Sequence, residues 1–265
     1  MKKIGRKKFL KQSSIIGAAT LNPFRINISE GQINTLIFGE NPEKPLMTRL
    51  AEANDRQVEI LISGNLSSGS AYGGYRNFSA NFASLAAAYY CTLSKYYKSP
   101  ALIRPLEDIM IYLLKVQNPD GTLDSGNLQS PPDTAFMLEK LCKGASLLVK
   151  NQEKALEKVR NDVKIFITKA ANTIAEGGVH TPNHRWAICG TLANVNAIYP
   201  DKKYVDRILD WLGEGIYIDN DGEYAERSKN YARVNNSAFI ETGRLLNMPE
   251  LFEPVRKNLR MTYYQ

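Results

Sequence analysis

Both histidines of this 265-residue chain lie in one stretch, Gly177-Gly178-Val179-His180-Thr181-Pro182-Asn183-His184-Arg185-Trp186. Imidazole is the side chain best matched to proton transfer near neutral pH, and here an amide, a guanidinium and an indole stand beside the pair. His180 and His184 are therefore candidates for acid–base work. Asn183, Arg185 and Trp186 are candidates for holding a charged, ring-shaped substrate. The structural alternative is that His184 packs at a helix start and His180 is a solvated loop residue. Two imidazoles also ligate metals, but no H-E-x-x-H pattern accompanies them.

A second dense segment runs Asp219-Asn220-Asp221-Gly222-Glu223-Tyr224-Ala225-Glu226-Arg227-Ser228-Lys229-Asn230-Tyr231. Its alternating acids suggest a calcium loop, yet the glycine is out of frame and Lys229 interrupts the ligand run. As a catalytic loop it presents Tyr224, Glu226, Arg227 and Tyr231. A tyrosine titrates near ~10 and needs a neighbouring cation, such as Arg227, to act as a base. The alternative is a hydrated turn with its tyrosine on the core.

Two further segments suit sugar binding. In Asp120 to Phe136, Asn127 and Asp133 offer polar contacts to hydroxyls, although Asp133 behind Pro131-Pro132 also reads as a helix N-cap. In Tyr72-Gly73-Gly74-Tyr75-Arg76-Asn77-Phe78, Tyr72 and Tyr75 are candidate stacking platforms. The glycines there lack the spacing and preceding strand of a phosphate cradle.

These residues must be positioned by helices. Leu156, Val159, Val163, Ile167 and Ala170 recur at helical spacing, as do Tyr204, Val205, Ile208, Leu209 and Leu212. Helices are predicted over 45–62, 77–97, 101–117, 133–149, 153–170, 184–198, 202–213, 232–247 and 250–264. No sustained period-2 alternation occurs, so no sheet is expected beyond a small hairpin around Tyr217 to Tyr224. The expectation is an all-α stack of antiparallel helical hairpins, with the loops 64–77, 118–132, 176–183 and 214–231 at one end.

Composition excludes several classes. With 43% hydrophobic and 23% charged residues the chain is neither disordered nor a coiled coil. Its charge of +7 is local: six of the 34 basic residues lie in the first eleven positions, ahead of the first acid, Glu30. Without them, bases and the 27 acids nearly balance, so nucleic acid is not an expected partner. The segment 1–22, with Arg6-Lys7, Phe9-Leu10-Lys11 and a short apolar run, resembles a twin-arginine or Sec export leader, implying a periplasmic or cell-surface protein. Residues 23–44 read as linker and 45–265 as the helical domain. No stretch has the ~18 apolar residues of a membrane span. Cys91, Cys142 and Cys189 are widely spaced and read as buried thiols.

Ser130-Pro131-Pro132-Asp133-Thr134-Ala135-Phe136, the histidine segment 177–186, and Asp221-Gly222-Glu223-Tyr224-Ala225-Glu226-Arg227-Ser228 together resemble the helical N-terminal part of heparinase II/III-like polysaccharide lyases. The resemblance spans roughly 60–264, with a rhamnose–glucuronate lyase subfamily near. It implies an (α/α) toroid, here incomplete and without the family's β-domain, acting without a cofactor on an anionic polysaccharide or oligosaccharide by β-elimination. Catalytic candidates are then His184, Tyr224, Asn183, His180 and Tyr231. Substrate-binding candidates are Arg185, Trp186, Arg227, Glu226, Tyr72, Tyr75, Asn127 and Asp133. In that scheme Asn183 and a protonated His184 neutralise the uronate carboxylate, while Tyr224, Tyr231 or His180 moves the proton. Alternatives are a glycoside hydrolase, using Asp124 or Asp133 with Glu226, and a non-catalytic glycan-binding remnant.

Overall fold

A computed structural model describes residues 44–64, 74–125, 128–179 and 181–264. The leader, the linker up to residue 43, and the candidates Tyr72, Asn127 and His180 lie outside the described residues. Nine α-helices account for most of what is described: α1 Lys44–Ser63, α2 Tyr75–Tyr90, α3 Ile103–Val116, α4 Pro131–Asn151, α5 Glu157–Glu176, α6 Pro182–Ile198, α7 Lys202–Gly213, α8 Lys229–Leu245 and α9 Phe252–Tyr264. None of these helices is long and apolar enough to cross a membrane.

The helices fall into two rows with different sequence patterns. In α7 a single face is buried through Tyr204, Ile208, Trp211 and Leu212. Asp201 caps it by accepting the Lys203 amide at 3.0 Å, and Lys202 pairs with Asp206 one turn on. In α6 burial extends almost all round, through Trp186 to Ala193 and Val195. That difference follows from position, because α6 packs against α4, α8, α7 and α5 at once. The row α2, α4, α6, α8 makes the most extensive contacts, each helix lying on the next. Helices α3, α5 and α7 form an outer row, while α1 packs on α2 and α9 on α8. Small residues permit the close approach in the inner row. A methyl on Gly190 of α6 would lie 2.9 Å from the Ala238 Cα of α8.

The four inner helices run in one direction. Arg76 at the start of α2 pairs with Asp133 at the start of α4, and farther along Phe82 lies against Gly144. Phe136 of α4 meets His184 in the first turn of α6, and Gly190 meets Ala238 midway along α6 and α8. Their N-termini therefore share one end of the molecule. The described parts of the predicted loops gather there too. The Tyr75 hydroxyl donates to the Asp124 carbonyl, Gly177 backs onto Pro131, and the Asn183 amide reaches Glu226. At the opposite end Lys98 pairs with Glu153 beside the rings of Tyr89 and Tyr90. A continuous core runs from Val58 to Val255 between these ends, with Phe82, Phe166 and Phe239 fully buried. Each such side chain contributes about 1.5–3 kcal/mol.

Local details correct the sequence reading. Ser130, not Asp133, caps α4: its Oγ accepts the Asp133 amide at 3.3 Å and donates to Asp133 Oδ2 at 2.7 Å. The two prolines thus occupy the first turn, where a missing amide costs nothing. A short antiparallel pair, β1 Leu123–Ser125 and β2 Leu128–Ser130, forms where no sheet was expected. Three residues per strand leave no alternation to read, and the Thr134 hydroxyl fixes the pair by accepting from the Leu123 amide. The hairpin expected at Tyr217–Tyr224 shrinks to one bridge, Ile218 to Tyr224. Helix α2 ends at Tyr90, and Cys91, expected to be buried, is only half-buried past its end.

Candidate active site

The start of α6 is built unusually. Thr181 is extended and Pro182 occupies the first helical position, so Asn183 supplies the first amide donor of the helix. The Thr181 hydroxyl does not cap that end. It lies 3.0 Å from His184 Nδ1, while the Thr181 carbonyl accepts the His184 amide at 3.1 Å. The Asn183 amide instead donates to Glu226 Oε2 at 3.1 Å, from a loop 43 residues farther along the chain.

Asn183 and His184 line a cleft of about 500 Å³ with Tyr231 and Arg233 of α8, Phe136 and Lys140 of α4, and Arg76 of α2. Asn183 is 2% exposed, and its Oδ1 is buried with no partner among the described residues. His184 stands edge-on to Phe136, with ring centroids 5.9 Å apart. Burial, and secondarily the Arg76 charge, lower its pKa below the usual 6.5, so the ring is neutral at pH 7. With Nδ1 held by Thr181, Nε2 is the nitrogen left for a substrate. Tyr231 is 46% exposed, and its hydroxyl bonds no described residue.

Charge in the cleft is unevenly compensated. Glu139 and Glu241 both line it and both pair with Lys143, at 2.9 and 3.9 Å, and Arg244 also holds Glu241 at 2.8 Å. Lys140 and Arg233 make no ion pair with any described residue. The carboxylates are engaged and two cations are not, which favours an anionic ligand. The positive ends of the α6 and α8 dipoles act in the same sense.

Several candidates are placed elsewhere. Tyr224, expected as a base activated by Arg227, is a core residue at 4% exposure. Its hydroxyl donates to Asn236 Oδ1 at 2.7 Å, and burial raises its pKa strongly. Arg227 is turned to Asp219 and Glu223, at 3.7 and 3.8 Å, and lines a different groove between α8 and α9. Trp186 is buried against Phe239 and cannot stack on a sugar. Arg185 leaves α6 on the side of α7, where it pairs with Glu214 and lies over Trp211. The Tyr75 hydroxyl is committed to the Asp124 carbonyl. Asp133 holds Arg76 at the cleft's edge. Glu226 caps α6, and its pKa is raised by burial against the lowering effects of the Asn183 amide and Arg185. The depressed pKa of His184 also replaces the protonated donor expected there with a neutral base.

The lining residues that sequence reasoning did not name as candidates include Arg76, Phe136, Lys140 and Arg233. Arg76 and Phe136 sit inside segments already singled out. Lys140 and Arg233 lie on ordinary helical surfaces, where nothing in the sequence marks them. Among the described residues, no group of three His, Cys, Asp or Glu is arranged to hold a metal ion. No protein-family model, curated protein or solved structure matches the chain.

Proposed function

We propose that this chain is the substrate-binding helical part of a heparinase II/III-like polysaccharide lyase, its two rows of helices forming an arc of an (α/α) toroid. The observation that carries the reading is the convergence of Asn183, His184 and Tyr231 on one cleft with Lys140 and Arg233, two cations that pair with no described residue. The three motifs resembling that family supply the reaction class. The leader-like first 22 residues and a polymeric substrate make export part of the same reading.

β-Elimination breaks the C5–H and C4–O bonds of a uronate and forms a C4=C5 double bond. In this reading Lys140, Arg233 and the Asn183 side chain meet the carboxylate and stabilise the charge that builds on it as C5 loses its proton. Neutral His184 accepts that proton at Nε2, and the Tyr231 hydroxyl donates one to the departing C4 oxygen. Hydrolysis has less support, because its candidate carboxylates are engaged: Asp124 by Asn118 at 2.8 Å, Asp133 by Arg76, and Glu226 by the α6 amide.

Incubation with a glucuronate-containing polysaccharide tests this. Ultraviolet absorbance from unsaturated uronate should rise in step with new reducing ends. New ends without absorbance would identify a hydrolase, and binding without new ends a glycan-binding protein; either result rejects elimination.

A further inference from the structure

Glu226 and Ser228 stand two residues apart, and each meets the start of a different inner helix. Glu226 Oε2 accepts the Asn183 amide at 3.1 Å, and Ser228 Oγ accepts the Tyr231 amide at 3.4 Å. The two capped amides belong to residues that line the cleft. Arg227 between them has φ 46°, the left-handed region that a non-glycine residue adopts only when its surroundings hold it there. Those surroundings are explicit. The Arg227 amide donates to the Tyr224 carbonyl at 3.0 Å, and its side chain faces Asp219 and Glu223. Asp219 Oδ1 in turn accepts the amides of Gly222 and Glu223 at 2.9 and 2.8 Å. Tyr224 anchors this loop in the core.

We propose that Glu226-Arg227-Ser228 is a double cap that sets α6 and α8 in mutual register at the cleft, making Glu226 a positioning residue and not a substrate contact. Because Pro182 has no amide, Glu226 takes the first donor α6 possesses. Ser228 caps α8 in the ordinary local way, taking the amide of its third residue, Tyr231. One rigid tripeptide thereby fixes the separation of Asn183 and His184 from Tyr231. Glu226 Oε1 is buried without a described partner and Glu226 is absent from the cleft lining, so the carboxylate is directed at the helix start and away from the ligand.

The catalytic consequence rests on the proposed lyase function, but the capping itself does not, and the experiment separates them. Hydrogen exchange by mass spectrometry is read on peptides covering Val179–Trp186 and Lys229–Ala232, in the whole chain. Glu226→Ala should speed exchange in the first peptide about tenfold, whereas Glu226→Gln, which keeps an oxygen acceptor, should stay near wild type. Should the alanine variant fail to fold, Glu226→Asp, one methylene short of the amide, carries the same expectation. Unchanged exchange in both Glu226→Ala and Glu226→Asp would overturn the cap. In the uronate assay, Glu226→Ala should lower kcat with KM retained, and Glu226→Gln should recover most of it. A raised KM at constant kcat would make Glu226 a substrate contact and overturn the positioning role. Altered exchange in a protein whose wild type yields no unsaturated product would uphold the cap and reject the lyase.

Discussion

At the cleft, His184 Nε2, the Tyr231 hydroxyl and the Asn183 side chain have no described protein partner, whereas around Tyr224 the polar groups are bonded in series. The Tyr224 hydroxyl donates to Asn236, Asn236 to Asn258 at 2.8 Å, and Asn258 to the Gly222 carbonyl at 2.9 Å. Both regions draw on tyrosines and amides, and α8 takes part in each, with α6 at the cleft and α9 in the network. A hydrogen bond completed inside the protein contributes about 1 kcal/mol net, and a buried group left open costs comparably or more. At the cleft the open groups remain available to a ligand, whereas around Tyr224 they are used within the protein. Residue type does not separate the two regions; remaining bonding capacity does.

The largest effect that tests this contrast is on turnover. Replacing His184 with Ala should lower unsaturated-uronate formation by about 10²–10⁴-fold. The melting temperature should change little, since the half-buried ring faces the cleft. Lost stability with normal specific activity would place His184 on the Tyr224 side of the comparison. Next in size is a change confined to the bonded region. Gly222 has φ 101°, and a methyl there would lie 2.6 Å from the Lys257 carbonyl oxygen. Gly222→Ala should cost about 1–3 kcal/mol in denaturant unfolding. An unchanged midpoint would mean that the network is not rigid.

A smaller effect concerns protonation. His184 binds its proton less readily when folded than when unfolded, so the unfolded chain carries the extra proton below pH 6.5. Its contribution to stability is therefore complete above that pH and lost as pH falls through the range beneath it. Arg76→Ala should raise the His184 pKa while leaving it depressed by burial, and should move the acid limb of activity upward. With two histidines in the chain, imidazole NMR titration resolves this directly. A pKa unmoved by loss of Arg76 would remove that charge from the account.

Much of the helical fold was legible. Alternating 3- and 4-residue spacing located α5 and α7, because each buries only one face. Helix boundaries were less so: Asn183 and His184 lie within the first turn of α6 because Pro182 starts it, and Pro131 likewise starts α4. At the site, the sequence marked the histidine segment and Tyr231. It did not distinguish Tyr231 from Tyr224, which depends on the facing of α8 and the Asn236–Asn258 chain. Nor did it turn Arg185 toward α7 and bury Trp186 against α8, since neighbours along a helix point in different directions. Lys140 and Arg233 become informative only once it is seen that they pair with no described residue.

The most direct test sets the two tyrosines against each other. Tyr231→Phe and Tyr224→Phe each remove one hydroxyl, and each variant is assayed for unsaturated-uronate formation and melting temperature on the same preparation. The account predicts that Tyr231→Phe loses about 10²–10⁴-fold in turnover at wild-type stability. Tyr224→Phe should keep its specific activity while losing about 1–2 kcal/mol, because Asn236 is left without its donor. The reverse pattern, with Tyr224→Phe inactive and stable and Tyr231→Phe active, would contradict it.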